Sequence, residues 1–513
     1  VRRHAGILAL AALALACILL ALWRLAASRD GIAIERRWLD ATPVTLFRPQ
    51  AEAEGARSRP VVVIAHGFAG SQQLMQPFAL AFARQGYTAV TFDFLGHGRN
   101  ARLLGGSVTE VGGATRALVE HTGEVAGFAR AFGDGRLVLL GHSMASDIVI
   151  RAAQTLPDVV ATIAVSPFSQ AVTATSPRNL LLIAGGWETY LAAEARKLVA
   201  QVSTSPEPAD GVTYGDFSAG TARRLAIAPG VEHVSVLYSR VSVAEAVDWA
   251  GRAAGAASEP AGIARTDGLW IMLLLAGLVA LVRPLSVLLP VVGGPARAPA
   301  LERGRFWAAL ILPAIATPLI LRVTPTHFLP ILVADYLAAH FAVLGLLTGA
   351  AFWWAGGRRW PERPSKAGWG RIGLAALLAS LISFVPLAAA IDAHVTSFQP
   401  VWARLPLILA LFAGTLAYGL ANEALTRSPG APRFAFAASQ AIFLVSLGLA
   451  IALDFKRLFF LAIIVPVIVP FLLVFGLFSH WFWRRTRHPF VAAIANALAF
   501  ACAIGVTFPM LTG

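Results

Sequence analysis

The chain is 513 residues long, 57% hydrophobic and only 14% charged, with a formal net charge of +14. That length exceeds one ordinary domain, and that apolar content excludes a wholly soluble protein. The basic excess is arginine, since only Lys197, Lys366 and Lys456 are lysines, and it lies in short connectors between apolar runs; no basic stretch carries interleaved aromatic residues on a soluble helix or sheet, a pattern that excludes nucleic-acid binding and predicts membrane orientation.

Arg2, Arg3 and His4 precede an uncharged run of 19 residues, Ala5 to Trp23. At about 1.5 Å per residue this run crosses a hydrocarbon core. Arg24 spoils Leu25-Ala26-Ala27 as a cleavage site, so residues 1–29 read as an uncleaved anchor. Cys17 is followed by Ile18-Leu19-Leu20-Ala21-Leu22, too apolar for a lipid-modified mature terminus. Cys17 and Cys502 both lie in apolar runs and offer neither a disulfide framework nor metal-ligand spacing; no metal and no organic cofactor is expected.

Residues 30–258 alternate short apolar runs with helical segments, the pattern of a parallel sheet covered on both faces. Strands are predicted at 61–65, 89–93, 161–165, 180–184 and 225–228, and helices at 76–84, 111–131 and 243–252. Within this region Leu137-Val138-Leu139-Leu140 runs into Gly141-His142-Ser143-Met144-Ala145, and helical spacing follows from Ser146. Strand, one-residue corner, helix is a nucleophile elbow: the corner strains Ser143, demands small residues two before and two after it, and exposes a hydroxyl at a helix N-terminus.

A serine nucleophile needs a base and an orienting acid, which follow an elbow in the order acid, then histidine. His233 is the one histidine between Ser143 and the end of the region. Glu188 stands just past the 180–184 strand, after Gly185-Gly186, and is preferred as the acid; Asp216, in Tyr214-Gly215-Asp216-Phe217, is its competitor. The backbone N–H of Met144 supplies one donor to a tetrahedral oxyanion, and that of Phe68, in Ala65-His66-Gly67-Phe68-Ala69-Gly70-Ser71, is the candidate for the second.

The ordered motifs His66-Gly67-Phe68-Ala69-Gly70-Ser71, Phe92 to Asn100 (FDFLGHGRN) and Gly141 to Ala145 (GHSMA) resemble the α/β-hydrolase superfamily, and most of all its serine-aminopeptidase and monoacylglycerol-lipase branch, over residues 40–252. The resemblance implies an α/β-hydrolase fold, Ser143 as nucleophile with Glu188 and His233 as partners, Phe68 and Met144 as oxyanion donors, and structural roles for Asp93 and His97. Two departures stand out: Ala145 replaces a common glycine, and only about a dozen residues separate Val165 from Leu180, too few for that branch's cap.

A small-residue stretch, Ala253 to Pro260, opens a linker at 259–267. From 268 to 513 come eight apolar runs, at 268–290, 306–321, 328–355, 371–391, 405–421, 434–453, 458–480 and 489–511, expected as an all-α polytopic membrane domain. With the N-terminus inside, the cytoplasmic segments hold fifteen Arg and Lys residues and the opposite loops four: Arg322, Arg404, Lys456 and Arg457. That bias places the hydrolase-like region outside the cytoplasm. Among polar residues in the runs, Asp335, Tyr336, His340, Asn422, Glu423 and Asn496 stand out, with a packing hydrogen bond expected for the Tyr336/His340 pair.

The expected activity is a membrane-bound serine hydrolase cleaving carboxylic esters, lipid acyl esters or thioesters included, through an acyl-enzyme. The competing readings are an acyltransferase whose acceptor is offered by the membrane half, and a transporter or scaffold with a hydrolase-like binding domain.

Overall fold

The structure, a computed structural model, describes residues 2–50, 58–108, 110–255, 266–293, 299–357 and 366–512. Most of the expected linker and the arginine-bearing connectors 294–298 and 358–365 lie outside the described residues. The chain forms two compact units. One holds Leu19–Leu274, Ile391–Gln399 and Pro509–Gly513; the other holds Val1–Ile18, Leu275–Ala390 and Pro400–Phe508. Two stretches of the sequence-defined membrane region, 391–399 and 509–513, therefore belong to the unit that carries the sheet.

After the N-terminal helix α1 (Arg2–Ala27), this α/β unit runs β1 (Ile32–Leu39), β2 (Thr42–Pro49), β3 (Val61–Ala65), α2 (Gln76–Arg84), β4 (Ala89–Phe92), α3 (Arg116–Ala129), β5 (Leu137–His142), α4 (Met144–Thr155), β6 (Val159–Val165), β7 (Leu180–Gly185), α5 (Thr189–Ala200), β8 (Arg223–Ala228) and α6 (Arg240–Ala253). The eight strands form one sheet in the order β1-β2-β4-β3-β5-β6-β7-β8. Pairings from β4 to β8 are parallel, while β1/β2 and β2/β4 are antiparallel. The expected helix-flanked sheet is present, with an antiparallel edge added.

Burial on both faces explains the continuous apolar strands. Val62, Ile64, Val138 and Leu140 pack with Phe78, Phe82 and Trp249 on one face. Val61, Val63, Leu137 and Leu139 pack with Leu118, Val125 and Val149 on the other. The helix predicted over 111–131 is shorter: Gly113, at φ −93° and ψ −118°, breaks its first turn, and α3 begins at Arg116. The β1–β2 hairpin went unpredicted because β1 carries three consecutive charged residues, Glu35-Arg36-Arg37, and β2 contains Pro43. The 509–513 stretch pairs with the chain after β4: Met510 N–H donates to Gly96 O (2.9 Å), and Thr512 N–H to Leu104 O (3.0 Å).

The rest of the chain supplies α7 (Gly268–Leu285), α8 (Arg303–Val323), α9 (Ala334–Ala355), α10 (Lys366–His394), α11 (Leu405–Thr426), α12 (Ala435–Leu453), α13 (Phe455–Thr486) and α14 (Pro489–Thr507), one for each expected run. With α1 they make nine membrane-length apolar helices among the described residues, the signature of a multi-pass membrane protein. Their polar residues partner one another. His340 Nε2 lies 3.2 Å from Ser446 Oγ, Arg427 Nε lies 3.2 Å from Glu423 Oε2, and Asn496 donates to Phe475 O at 3.0 Å. The Tyr336 and His340 rings, one helical turn apart, lie 5.9 Å from each other.

Candidate active site

The chain leaves β5 at His142, turns at Ser143 and enters α4 at Met144. Ser143 sits at φ 55° and ψ −120°, a conformation that costs a non-glycine residue energy and is held by the elements on either side. A Cβ at Gly141 would collide with the Ala145 carbonyl, so the position two before the corner is restricted to glycine.

Two other strand ends bring side chains to this corner. Beyond β8 the turn Pro229-Gly230 carries the chain to His233, whose Nε2 lies 2.8 Å from Ser143 Oγ. Beyond β7 the Gly185-Gly186 turn places Glu188 at the start of α5, with Oε1 2.5 Å from His233 Nδ1. Nδ1–H donates to the carboxylate, which leaves Nε2 to accept the serine hydroxyl. The other carboxylate oxygen accepts the Gly185 N–H (2.7 Å) and the hydroxyl of Ser166 (2.8 Å), at the end of β6. Burial alone would push the Glu188 carboxyl up; the hydrogen bonds from His233, Gly185 and Ser166 outweigh it and hold the group below its ordinary value. Asp216 turns into its own exposed loop, accepting Ala219 N–H at 2.8 Å, so Glu188 rather than Asp216 stands beside His233.

The loop after β3 abuts Ser143. A Cβ at Gly67 would lie 3.0 Å from both Ser143 Cβ and His142 Nδ1. Phe68 is the next residue, and Met144 follows Ser143 in sequence, so the two expected backbone donors belong to chain segments that meet at Ser143. His66 is buried: Phe94 N–H donates to its Nε2 (3.1 Å), its Nδ1 lies 2.8 Å from Gly67 O, and burial lowers its pKa. Asp93 accepts the N–H groups of Gln72 (2.8 Å) and Arg99 (2.9 Å), strapping the 66–73 loop to the 94–100 loop. His97 Nδ1 lies 2.9 Å from the Leu95 carbonyl.

Three contributions escaped the sequence reading. His142 Nε2 lies 2.9 Å from the His233 carbonyl, and burial, followed by the charge of His233, pushes its pKa down to about 3, so it stays neutral and holds the loop bearing His233. Its place inside the elbow motif was the available signal. Ser166 orients Glu188 and had no signal at all. The third is the 391–399 stretch: Ser397 N–H donates to Ser71 Oγ (2.7 Å), Thr396 Oγ1 lies 3.0 Å from the same oxygen, and Asp392 pairs with Arg99 at 2.5 Å.

Residues 166–179, between β6 and β7, contain no helix, in keeping with the expected lack of a cap. Phe168, Trp187, Tyr190 and Val234, adjacent in sequence to the strand ends that carry the site, are exposed. Among the described residues no three His, Cys, Asp or Glu side chains gather as metal ligands.

Residues 56–209 match the sequence model of the family described as serine aminopeptidase, S33. The matched stretch includes Ser143 and Glu188 and ends before His233. No curated protein matches the chain. Similar solved structures include a predicted CIB-like hydrolase from Thermoplasma acidophilum (20% identity, 40% of this chain, 92% of that chain, TM-score 0.31). A dienelactone hydrolase from Anabaena variabilis is 16% identical over 40% of this chain and 93% of that chain, with a TM-score of 0.29. A soluble variant of monoglyceride lipase from Saccharomyces cerevisiae, in complex with a substrate analogue, is 14% identical over 44% of this chain and 96% of that chain, with a TM-score of 0.31.

Proposed function

Residues 56–209 lie in an α/β-hydrolase domain of the S33 family, fused to a region of membrane-length apolar helices, and from that premise we propose that the protein hydrolyses carboxylic esters of apolar acyl groups through a Ser143–His233–Glu188 triad. The observation that carries this reading is the continuous hydrogen-bonded line from Ser143 Oγ through His233 to Glu188.

In the forward step His233 Nε2 takes the Ser143 proton as Oγ bonds to the ester carbonyl carbon. The carbonyl oxygen becomes an oxyanion, met by the N–H groups of Phe68 and Met144. Glu188, kept ionised, holds the Nδ1–H tautomer and offsets the charge of the imidazolium. Collapse of the tetrahedral adduct expels the alkoxide, which His233 protonates, leaving an acyl-Ser143 ester. Water then repeats the sequence: His233 takes its proton, the hydroxyl attacks the acyl carbon, and Ser143 leaves with the proton returned.

Exposed Phe168, Trp187, Tyr190 and Val234 beside an uncapped site support an apolar acyl group. Outward placement of the hydrolase unit is supported by the fifteen-to-four bias of Arg and Lys. Span parity agrees with a single side for the whole unit: four membrane-length helices separate residue 274 from 391, and four separate 399 from 509. The boundaries 1–29, 30–258 and 268–513 belong to the same reading, with 391–399 and 509–513 added to the hydrolase part.

Pre-steady-state hydrolysis of p-nitrophenyl butyrate by the detergent-purified full chain tests the activity. A burst equal to the enzyme concentration, with the butyryl group recovered on the peptide bearing Ser143, is expected. Turnover without an acylated peptide would refute the acyl-enzyme. For topology, a cysteine placed within 203–211 in a Cys-free background should react with an impermeant maleimide in intact spheroplasts; reaction only after lysis would reverse the orientation.

A further inference from the structure

A cavity of the α/β unit, about 100 Å³ in volume and open to solvent, lies between the β1–β2 hairpin and the segment that follows the 66–71 loop. Neither Ser143 nor His233 lines it. Its wall includes four arginines, Arg29, Arg36, Arg37 and Arg99, and no acidic residue. Two of the four are neutralised nearby: Arg37 by Glu35 at 2.5 Å, a carboxylate it shares with Arg48, and Arg99 by Asp392 at 2.5 Å. Among the described residues Arg29 and Arg36 have no carboxylate within ion-pair distance. Arg29 donates to Gln76 Oε1 and the Ala393 carbonyl, both at 3.3 Å, and lies 3.3 Å from His394 Nδ1. Burial lowers the pKa of Arg29; Asp267 opposes that shift, and the charge of Arg36 adds to it. Two cations thus face one cavity without counter-charge on its wall.

The neutral lining also donates. Gln72 and Gln73 are 7% and 6% exposed. Gln72 Oε1 accepts the hydroxyls of Thr45 (2.7 Å) and Thr91 (3.3 Å), and Gln73 Oε1 accepts that of Ser71 (2.8 Å). With both carbonyl oxygens already accepting hydroxyl hydrogens, each amide of this lining has its NH₂ left to donate. Guanidinium forks and amide donors around a site of net positive charge are the chemistry of phosphate recognition.

The place in the chain indicates where the phosphate comes from. Arg29 stands two residues beyond the end of α1, an apolar helix of membrane length. Ile34, Arg36 and Trp38 alternate along β1 and are exposed on the same face. An exposed tryptophan and arginines immediately beyond a span are typical of the headgroup level of a bilayer.

We propose that this cavity is a phosphate-binding site, with Arg29, Arg36 and the amides of Gln72 and Gln73 as its donors, and that its occupant is a phosphate group of a phospholipid headgroup or a free phosphate.

Thermal unfolding of the full chain in dodecyl maltoside tests the site. Three additives are compared: dioctanoyl phosphatidylglycerol, dioctanoylglycerol, which lacks the phosphate, and sodium phosphate against sodium chloride at equal ionic strength. A ligand that binds only the folded state raises Tm by mass action, here by roughly 2–4 °C. Phosphatidylglycerol should raise Tm and dioctanoylglycerol should not. A rise with sodium phosphate of the same size assigns the site to free phosphate; a rise with phosphatidylglycerol alone assigns it to the headgroup. The rise should vanish in Arg36→Ala, whose side chain makes no contact that the fold needs, and the unliganded melt of that variant reports its folding. Arg29→Gln provides an independent second variant. Equal shifts from phosphatidylglycerol and dioctanoylglycerol, no shift with any phosphate-bearing additive, or a shift that persists in both variants, would overturn the proposal.

Discussion

The carboxylate of Asp392 lies 2.5 Å from the guanidinium of Arg99, and its other oxygen accepts the N–H groups of Phe398 (2.8 Å) and Gln399 (2.9 Å). One side chain therefore folds the 391–399 stretch and ties it to the loop that Asp93 straps against the 66–73 loop. Both members of the pair are four-fifths buried, so screening by water is limited. Asp392→Asn should lower kcat on a short ester about tenfold with little change in KM, since a misplaced oxyanion donor acts on the transition state. The double variant Arg99→Asp/Asp392→Arg should recover part of the loss. An unchanged kcat in Asp392→Asn would separate the 391–399 stretch from catalysis.

Gly67 sits where a methyl group would be tighter against its neighbours than ordinary packing allows. In Gly67→Ala the new Cβ meets Ser143 Cβ and His142 Nδ1 at 3.0 Å and pushes Ser143 or the loop aside by a few tenths of an ångström. A kcat loss of roughly 100-fold is expected, with the circular dichroism spectrum retained. Wild-type turnover in this variant would mean that the loop is free to move away from Ser143 without consequence.

Glu188 carries two separable consequences. Glu188→Gln should lower kcat by about 10²–10⁴-fold with KM nearly constant, whereas Asp216→Asn, confined to its own loop, should stay within about twofold. The carboxyl is held below its ordinary value of 4.5, so its stabilising bonds are fully present above that value and are lost as pH falls through the lowered one. The Tm difference between wild type and Glu188→Gln, measured in detergent, should be constant above about pH 5.5 and close on acidification. A difference that widens in acid would reverse the assigned shift.

Exposed aromatic residues beside the site should set chain-length preference. Phe168→Ser and Trp187→Ser should reduce kcat/KM for dodecanoyl esters by about tenfold while leaving butyryl esters within about twofold, since each removes contact area from the long chain alone. Equal losses on both esters would remove these residues from acyl recognition.

The legible parts of this site were local in sequence. A strand, a corner with small flanking residues and a helix all lie within about 20 residues of Ser143, so the backbone strain and its relief are written side by side. Glu188 is proposed from its place after a strand and two glycines and His233 by elimination among histidines, and the structure brings Glu188 within hydrogen-bond reach of His233 and His233 within reach of Ser143. Ser166, His142 and Asp392 act through partners between 22 and 293 residues away, and no pattern near them predicts those meetings. The β1–β2 hairpin failed for a different reason: β1 is an edge strand whose exposed alternate residues include Arg36 and Trp38, so it lacks the continuous apolar run that marks the central strands.

The central claim is that Ser143 is the nucleophile, and the most direct test is active-site labelling of the full chain by a fluorophosphonate probe. Wild type should be labelled at one site, recovered on the peptide containing Ser143, and Ser143→Ala should lose the label while migrating as the same folded species in detergent. Undiminished labelling of Ser143→Ala, or a label on any other serine, would contradict the account.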